Sequence, residues 1–361
     1  MVANANHVAF RVDASEQIGT GHFMRCLTLA DGLRQHGARI RFVSRHLPEQ
    51  ARGMLAARGH EFVPLESAPD AALDELAHAR WLGTSQTQDA KDAIQALSDE
   101  TWDWLIVDHY ALDARWESVL RPAARNILAI DDLADRRHLC DVLLDQNYES
   151  TERYEDLVAK NCRLLLGPRY ALLRPEYAAF RKTMTSRNEV PRKVLVFFGG
   201  ADHQNMTGLS LTALSQSGLR HLHVDVVVGA YYRYRDSLEE QAAGRPHTTI
   251  HEPRPHLADL MAKADLAIGA GGVTNWERMC LGLPSLVVTV AENQVPVSRL
   301  LDGEGAIRLV GDSAAISAAD IRDALVDEIE TRKYVQRAAV ALTKCDGDGV
   351  SRVIRVMLSG E

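Results

Sequence analysis

Short β-branched runs alternate with amphipathic helical stretches along the whole chain, and this alternation constrains the fold more than any other feature. In the first half the runs lie at 7–13, 39–44, 104–108, 126–131 and 141–144; in the second, at 193–200, 222–229, 265–272 and 285–290. Several are almost unbroken apolar segments, as expected of strands buried on both faces of a parallel sheet. Between the first two runs Leu27, Leu29, Ala30 and Leu33 mark a helical stripe, and Gly37 is placed as its C-terminal cap. The stretch 181–193 is polar, poor in apolar residues and interrupted by Pro191, and reads as a linker. Two consecutive α/β domains are the economical architecture for 361 residues. No repeat of 20 to 50 residues is visible, which argues against a solenoid.

A net charge of −8 is too acidic for a general nucleic-acid binder, whose footprint is basic. It still admits an anionic substrate, because a local site can be positive within an acidic protein. No apolar run approaches the roughly 18 residues of a transmembrane helix. The first ten residues lack the basic and apolar regions of a signal peptide. The five cysteines (Cys26, Cys140, Cys162, Cys280 and Cys345) are scattered and form no CxxC. A reduced, cytoplasmic protein without structural zinc is therefore expected.

Asp13 ends the first run, Gly19-Thr20-Gly21 makes a turn, and His22 opens the next helix. Ligands of open α/β sheets bind beyond the carboxyl ends of the strands, where this loop lies. Its spacing is neither GxGxxG nor a P-loop, because no Lys-Ser/Thr follows; a dinucleotide or ATP loses ground. His22 is then either a general base or a solvent-facing first-turn residue. The positive end of a helix favours a neutral imidazole, and a neutral imidazole can accept a proton from water. Arg25, one turn on, either contributes to the site's charge balance or lies on the surface. Asp108, His109 and Tyr110 follow another strand at the same edge, so the two clusters would line one cleft. Asp108 is equally read as a helix cap, and His109 and Tyr110 as substrate contacts or as satisfied loop residues. Neither histidine has the spacing of a zinc ligand.

In the second half, Gly199 and Gly200 allow a tight turn after a strand, with Asn205 or Thr207 available to a phosphate. Double glycines after strands are also common punctuation. The stretch 269-GAGGVTNWERMCLGLP-284 is more informative. Here a strand ends in glycines and a helix begins, so amides around Gly271, Gly272 and Thr274 can face a diphosphate. Glu277 either accepts both hydroxyls of a ribose or only complements the helix dipole. Asn293 and Gln294, beyond the next strand, are sugar-hydroxyl partners or ordinary loop residues.

This last stretch resembles the donor-nucleotide motif of the GT-B family that contains the N-acetylglucosaminyltransferase of peptidoglycan synthesis. Further stretches narrow the resemblance: RVDASEQIGTGHFMRCLTLA from residue 11, VDHYALDARWE from 107, IDDLADRRHLCDVLLDQN from 130, GPRYALLRPE from 167, FFGGADHQNMT from 197 and DGDGVSRVIRVM from 346. Together they resemble the UDP-2,4-diacetamido-2,4,6-trideoxy-β-L-altropyranose hydrolases of pseudaminic acid biosynthesis. The resemblance implies an α/β GT-B fold, two Rossmann-like domains facing each other across a cleft. Residues 1–185 would form the sugar and catalytic domain and 193–345 the UDP-binding domain, with 346–361 a helix packing back on the first. Water would replace an acceptor sugar, and the anomeric C–O bond would be hydrolysed with inversion, without metal or cofactor. His22 would be the base. Asp13, Gly21, Arg25, Asp108, His109, Tyr110, Asn293 and Gln294 would serve the substrate. Gly199, Gly200, Gly271, Gly272, Thr274, Asn275 and Glu277 would hold UDP. The implied partners are the UDP-sugar and UDP, with no nucleic acid and no membrane insertion, and the oligomeric state, a monomer or otherwise, is left open. An inverting glycosyltransferase, a hydrolysing UDP-sugar epimerase and a non-catalytic nucleotide-sugar-binding protein remain alternatives on the same scaffold.

Overall fold

The computed structural model describes residues 6–66, 74–184, 187, 190–229 and 231–359. The first five residues of the N-terminal stretch and residues 185, 186, 188 and 189 of the polar stretch lie outside these. The chain forms two compact units, Met1–Leu172 with Asp348–Glu361, and Leu173–Gly347. The division falls ahead of the polar stretch 181–193, and the helix Pro175–Thr183 lies in the second unit.

The first unit holds seven strands: β1 (His7–Val12), β2 (Arg39–Ser44), β3 (Glu61–Pro64), β4 (Trp102–Asp108), β5 (Ala124–Ile130), β6 (Val142–Asp145) and β7 (Arg163–Leu166). They pair in the order β3-β2-β1-β4-β5-β6-β7, all parallel. Alternating side chains of the central strands feed two cores. Val8, Phe10, Val12 and Ile106 enter one face, and Ala9, Leu105 and Val107 the other. This is why these strands read as continuous apolar runs; each large side chain buried so stabilises by about 1.5–3 kcal/mol.

The helix Gly21–Gln35 buries Leu27, Leu29, Ala30 and Leu33, and ends where Gly37 takes φ +86 and donates its N–H to Arg34 O. The helix Gly349–Ser359 returns to the first unit and adds Val353 and Ile354 to its core. A Cβ at Gly32 would lie 2.8 Å from both Val350 and Ile354, so that glycine admits the crossing helix. The Trp104 indole N–H also donates to Met357 O at 3.1 Å.

The second unit holds β8 (Lys193–Phe197), β9 (His223–Val227), β10 (Thr248–His251), β11 (Leu266–Ala270), β12 (Ser285–Thr289) and β13 (Arg308–Asp312), ordered β10-β9-β8-β11-β12-β13 and parallel throughout. All nine apolar runs are strands. The four that the sequence pattern does not announce, β3, β7, β10 and β13, are the four sheet edges. In each unit the winding direction reverses at one place, between β1 and β4 in the first and between β8 and β11 in the second. Ligand crevices of open α/β sheets form at such points. Among the described residues no helix is long and apolar enough to cross a membrane.

Candidate active site

The first crevice brings together residues far apart in sequence. Val12 pairs with Asp108 in the β1–β4 register, so Asp13 and Asp108 emerge at the same level. The loop after β1 is closed by Gly19 N–H donating to Ser15 O, with Gly19 at φ +77, and it delivers Gly21 and His22 to the first turn of their helix. His22 Nδ1 lies 2.6 Å from Asp108 Oδ1. Arg25 donates Nε to Asp108 Oδ2 at 2.6 Å and Nη2 to Oδ1 at 2.7 Å. Arg25 Nη2 is also 3.2 Å from His22 Nδ1. Two donors cannot bond each other, so a carboxylate at 2.6 Å assigns the proton to Nδ1 and leaves the Nε2 lone pair free to accept. Asp108 is thus an orienting partner of His22, and the cap of the next helix is Asp113, which accepts from Arg115 N.

Burial alone would raise the Asp108 carboxyl. The Arg25 guanidinium, then His22, overcome this and hold it well below the usual carboxylate range. Asp132, at the end of β5, completes the cluster: it accepts from the Tyr110 hydroxyl, from Arg25 Nη1 at 3.2 Å and from Asn147 Nδ2 at 3.1 Å. Tyr110 meets His22 edge-on, with ring centroids 4.6 Å apart. The His22 side chain keeps 11% exposure, whereas that of Asp108 has none.

Three residues expected to touch substrate stand behind the site instead. Arg25 is buried and fully engaged by two carboxylates, so it is the counter-ion of the cluster. Asp13 is completely buried: it accepts from both Arg11 Nη atoms and from the amides of Arg45 and His46. His109, also buried, faces Asp13 at 3.3 Å and accepts at Nδ1 from Ala111 N. Arg11 ties this pair to Asp89 through two further bonds. The ionic lattice fixes the ends of β1 and β4, with Asp13 and His109 both buried within it.

Asp145, at the end of β6, was not singled out by the sequence pattern. It accepts from the Tyr154 hydroxyl at 3.0 Å, and burial, reinforced by the charge of Asp132, pushes its pKa up to about 7. The folded state therefore holds this proton more tightly than the unfolded chain. The resulting stability is complete below about pH 4 and is lost as the pH rises through 7. Asp145→Asn should accordingly stabilise the protein on the order of 1–3 kcal/mol at pH 8, with the gain vanishing toward pH 4; urea unfolding at pH 4, 6 and 8 measures this.

The second crevice holds both glycine loops, one after β8 and one after β11. They differ in what faces outward. After β8, Gly199 has φ +94, and a Cβ on Gly199 or Gly200 would meet nothing within 4 Å. However, the following helix Met206–Leu214 is already capped: Asp202 accepts from the amides of Met206 and Thr207, and Asn205 from that of Gly208. With an anionic side chain on its first amides, this helix end does not offer Asn205 or Thr207 to a phosphate.

After β11 the chain is braced from inside. Arg278 donates to Ala270 O at 2.7 Å and Asn275 Nδ2 to Gly271 O at 3.1 Å. Gln294 Oε1 accepts from the amides of Gly271, at 3.2 Å, and Val290, at 3.1 Å. Asn275 and Gln294, expected to touch UDP and sugar, are therefore turned onto the loop, and Asn275 is buried. No side chain caps the helix Thr274–Cys280, which leaves the Gly272–Thr274 turn as the open end of the loop. Gly269 is obligatory here, since a Cβ would lie 2.4 Å from Phe197 O. Glu277 is partly accessible, yet lost solvation pushes its pKa up to about 7, against hydrogen bonding with Tyr177 and the charge of Arg278. Asn293 is exposed, just ahead of the helix Gln294–Gly303. If this loop holds UDP, as the sequence leads one to expect, and the brace sets it, Gln294→Ala should weaken UDP binding about 5- to 30-fold, the worth of one or two hydrogen bonds, as read by calorimetry. Among the described residues no group of three or more His, Cys, Asp or Glu side chains is arranged to hold a metal ion.

No family model matches the chain. It is 29% identical over 301 residues to the UDP-2,4-diacetamido-2,4,6-trideoxy-beta-L-altropyranose hydrolase of Campylobacter jejuni subsp. jejuni, covering 82% of this chain and 97% of that protein. It is 24% identical over 303 residues to the spore coat polysaccharide biosynthesis protein SpsG of Bacillus subtilis, covering 83% of this chain and 82% of that one. Among solved structures, MurG of Acinetobacter baumannii matches with a TM-score of 0.68 at 13% identity, over 98% of this chain and 99% of that one. The chain has the GT-B fold of such glycosyltransferases, and in sequence it resembles the Campylobacter hydrolase over four fifths of its length.

Proposed function

We propose that the protein hydrolyses UDP-2,4-diacetamido-2,4,6-trideoxy-β-L-altropyranose to UDP and the free sugar, with inversion, as a step of pseudaminic acid biosynthesis. The observation that carries this reading is the pairing of His22 Nδ1 with the buried Asp108 carboxylate at 2.6 Å. It leaves Nε2 as a base at the crevice between β1 and β4. In the proposed step a water oxygen bonds to the anomeric carbon while the C–O bond to the β-phosphate breaks, its electron pair leaving on UDP. The water proton goes to Nε2, and Asp108 stabilises the imidazolium that forms. The first unit acts on the sugar. The second holds UDP, with the turn Gly272–Thr274 offering amides to the diphosphate and Glu277 facing the ribose. Gly199 and Gly200 leave room beside it. No metal or cofactor enters the scheme, and the location it carries is cytoplasmic. The named Campylobacter relative supports a UDP-sugar hydrolase, and the fold accommodates one.

Incubation with the UDP-sugar in heavy-oxygen water tests the reading. The expected result is UDP and free sugar formed without an acceptor, the label on the sugar, and an anomer opposite to that of the substrate. Label on UDP would indicate cleavage at phosphorus. Turnover only with an added acceptor would make the protein a transferase, and binding without turnover a non-catalytic receptor.

A further inference from the structure

A group of aromatic rings beside His22 has no part in the proposed proton transfer. Trp81 ends a short 3₁₀ turn, Ala79–Trp81, and stacks on Tyr110 with centroids 5.6 Å apart and planes 28° from parallel. His78 closes against both, 4.6 Å from Trp81 and 5.2 Å from Tyr110. His22 meets Tyr110 edge-on at 4.6 Å and Trp81 at 6.5 Å, at 86° and 77°. Tyr110 is buried and its hydroxyl is committed to Asp132, whereas Trp81 and His78 are only half-buried. Trp81, His78 and Tyr110 thus form one aromatic wall beside the His22 ring, and its partly exposed members are the Trp81 indole and the His78 imidazole.

The indole face of such a wall favours apolar sugar surface. A hydroxyl held against that face would lose hydration without gaining a hydrogen bond. A sugar carrying a methyl in place of the C6 hydroxyl, and acetamido groups in place of two others, presents C–H and methyl surface that an indole face covers well. We propose that Trp81 is a specificity-determining contact for the methyl-bearing substituents of the sugar, its ring positioned by the edge contact with His78. This rests on the nucleotide-sugar reading above and adds to it the residue that selects a deoxy, N-acetylated sugar over a hydroxylated one.

The test uses the full chain with Trp81→Ala and Trp81→Phe, and two readouts. The first is saturation-transfer NMR on the bound UDP-diacetamido-trideoxy sugar, which requires binding and no turnover. In the wild type the acetamido and C6 methyls should receive strong saturation. In Trp81→Ala these signals should fall relative to the uracil protons, with Trp81→Phe close to wild type. The second readout is steady-state kinetics. Trp81→Ala should raise KM about 10- to 100-fold, leave kcat within about threefold and leave the affinity for UDP alone unchanged; Trp81→Phe should restore most of the loss. Preference for this substrate over UDP-N-acetylglucosamine should shrink by a similar factor. Unchanged methyl saturation or an unchanged KM in Trp81→Ala overturns the proposal. So does a fall in kcat that Phe does not rescue, which would make Trp81 a structural support of His22. A wild type that saturates at the methyls yet releases no UDP would refute the hydrolase reading and leave Trp81 as the contact.

Discussion

Turnover of His22→Asn is expected to fall by about 10²- to 10⁴-fold, the usual worth of a positioned general base, with UDP affinity within about twofold of wild type. Asparagine can still donate an N–H to Asp108, so the carboxylate and Arg25 keep their pairing. What disappears is the lone pair at Nε2. Initial rates of UDP release and calorimetric titration with UDP separate the two effects. A rate near wild type would remove His22 from the chemistry, and a parallel loss of UDP affinity would give it a structural role instead.

Asp108→Ala is expected to destabilise the protein by about 3–5 kcal/mol, because it strands a buried charge. Arg25 would keep only its 3.2 Å contact with Asp132. The cost depends on pH in a defined direction. The Asp108 carboxyl is held low in the folded state, so its contribution is complete above about pH 4 and is lost as the pH falls further. Denaturant unfolding should therefore show the largest gap between variant and wild type near pH 7 and a shrinking gap below pH 4. Asp108→Asn keeps the size of the side chain but not its charge, so it too leaves Arg25 without its counter-ion. An amide that donates toward Nδ1 forces the proton to Nε2, which abolishes the base, so turnover of the folded variant should drop by about 10³-fold or more. If Asp108→Ala unfolds like wild type, Asp108 is not the counter-charge that the geometry makes it.

The sequence reveals strands in proportion to their burial. Every central strand is legible because both of its faces are apolar, whereas β3, β7, β10 and β13 each lie at an edge, where one flank meets solvent. Glu61, Arg163, Thr249 and Asp312 interrupt their patterns. The site divides in a similar way. The loop bearing His22 and the strand end at Asp108 are both visible from strand–turn–helix punctuation. Their pairing across 86 residues is not, because register alone brings Val12 beside Asp108. Sequence cannot tell a buried polar residue that faces a ligand from one that faces another side chain. Asp13, Arg25, His109, Asn275 and Gln294 were expected at the ligand and are found bracing what approaches it. Asp132 and Asp145 lie within the run 130–147 that carries the resemblance, but nothing in it distinguishes them from the other acidic residues there, and His78 and Trp81 belong to no motif.

The return of the helix Gly349–Ser359 to the first unit has a consequence for the order of assembly during synthesis. The second unit is one continuous segment, Leu173–Gly347, and all of it has been made before that helix emerges. Until then the face of Gly21–Gln35 around Gly32 lacks the side chains of Val350, Val353 and Ile354 that cover it. The first unit is thus completed only after the second has been made, and until then the nascent chain carries an uncovered apolar groove on the helix that bears His22. A chain stopped at Gly347 would present that groove permanently, with the whole of the second unit already made.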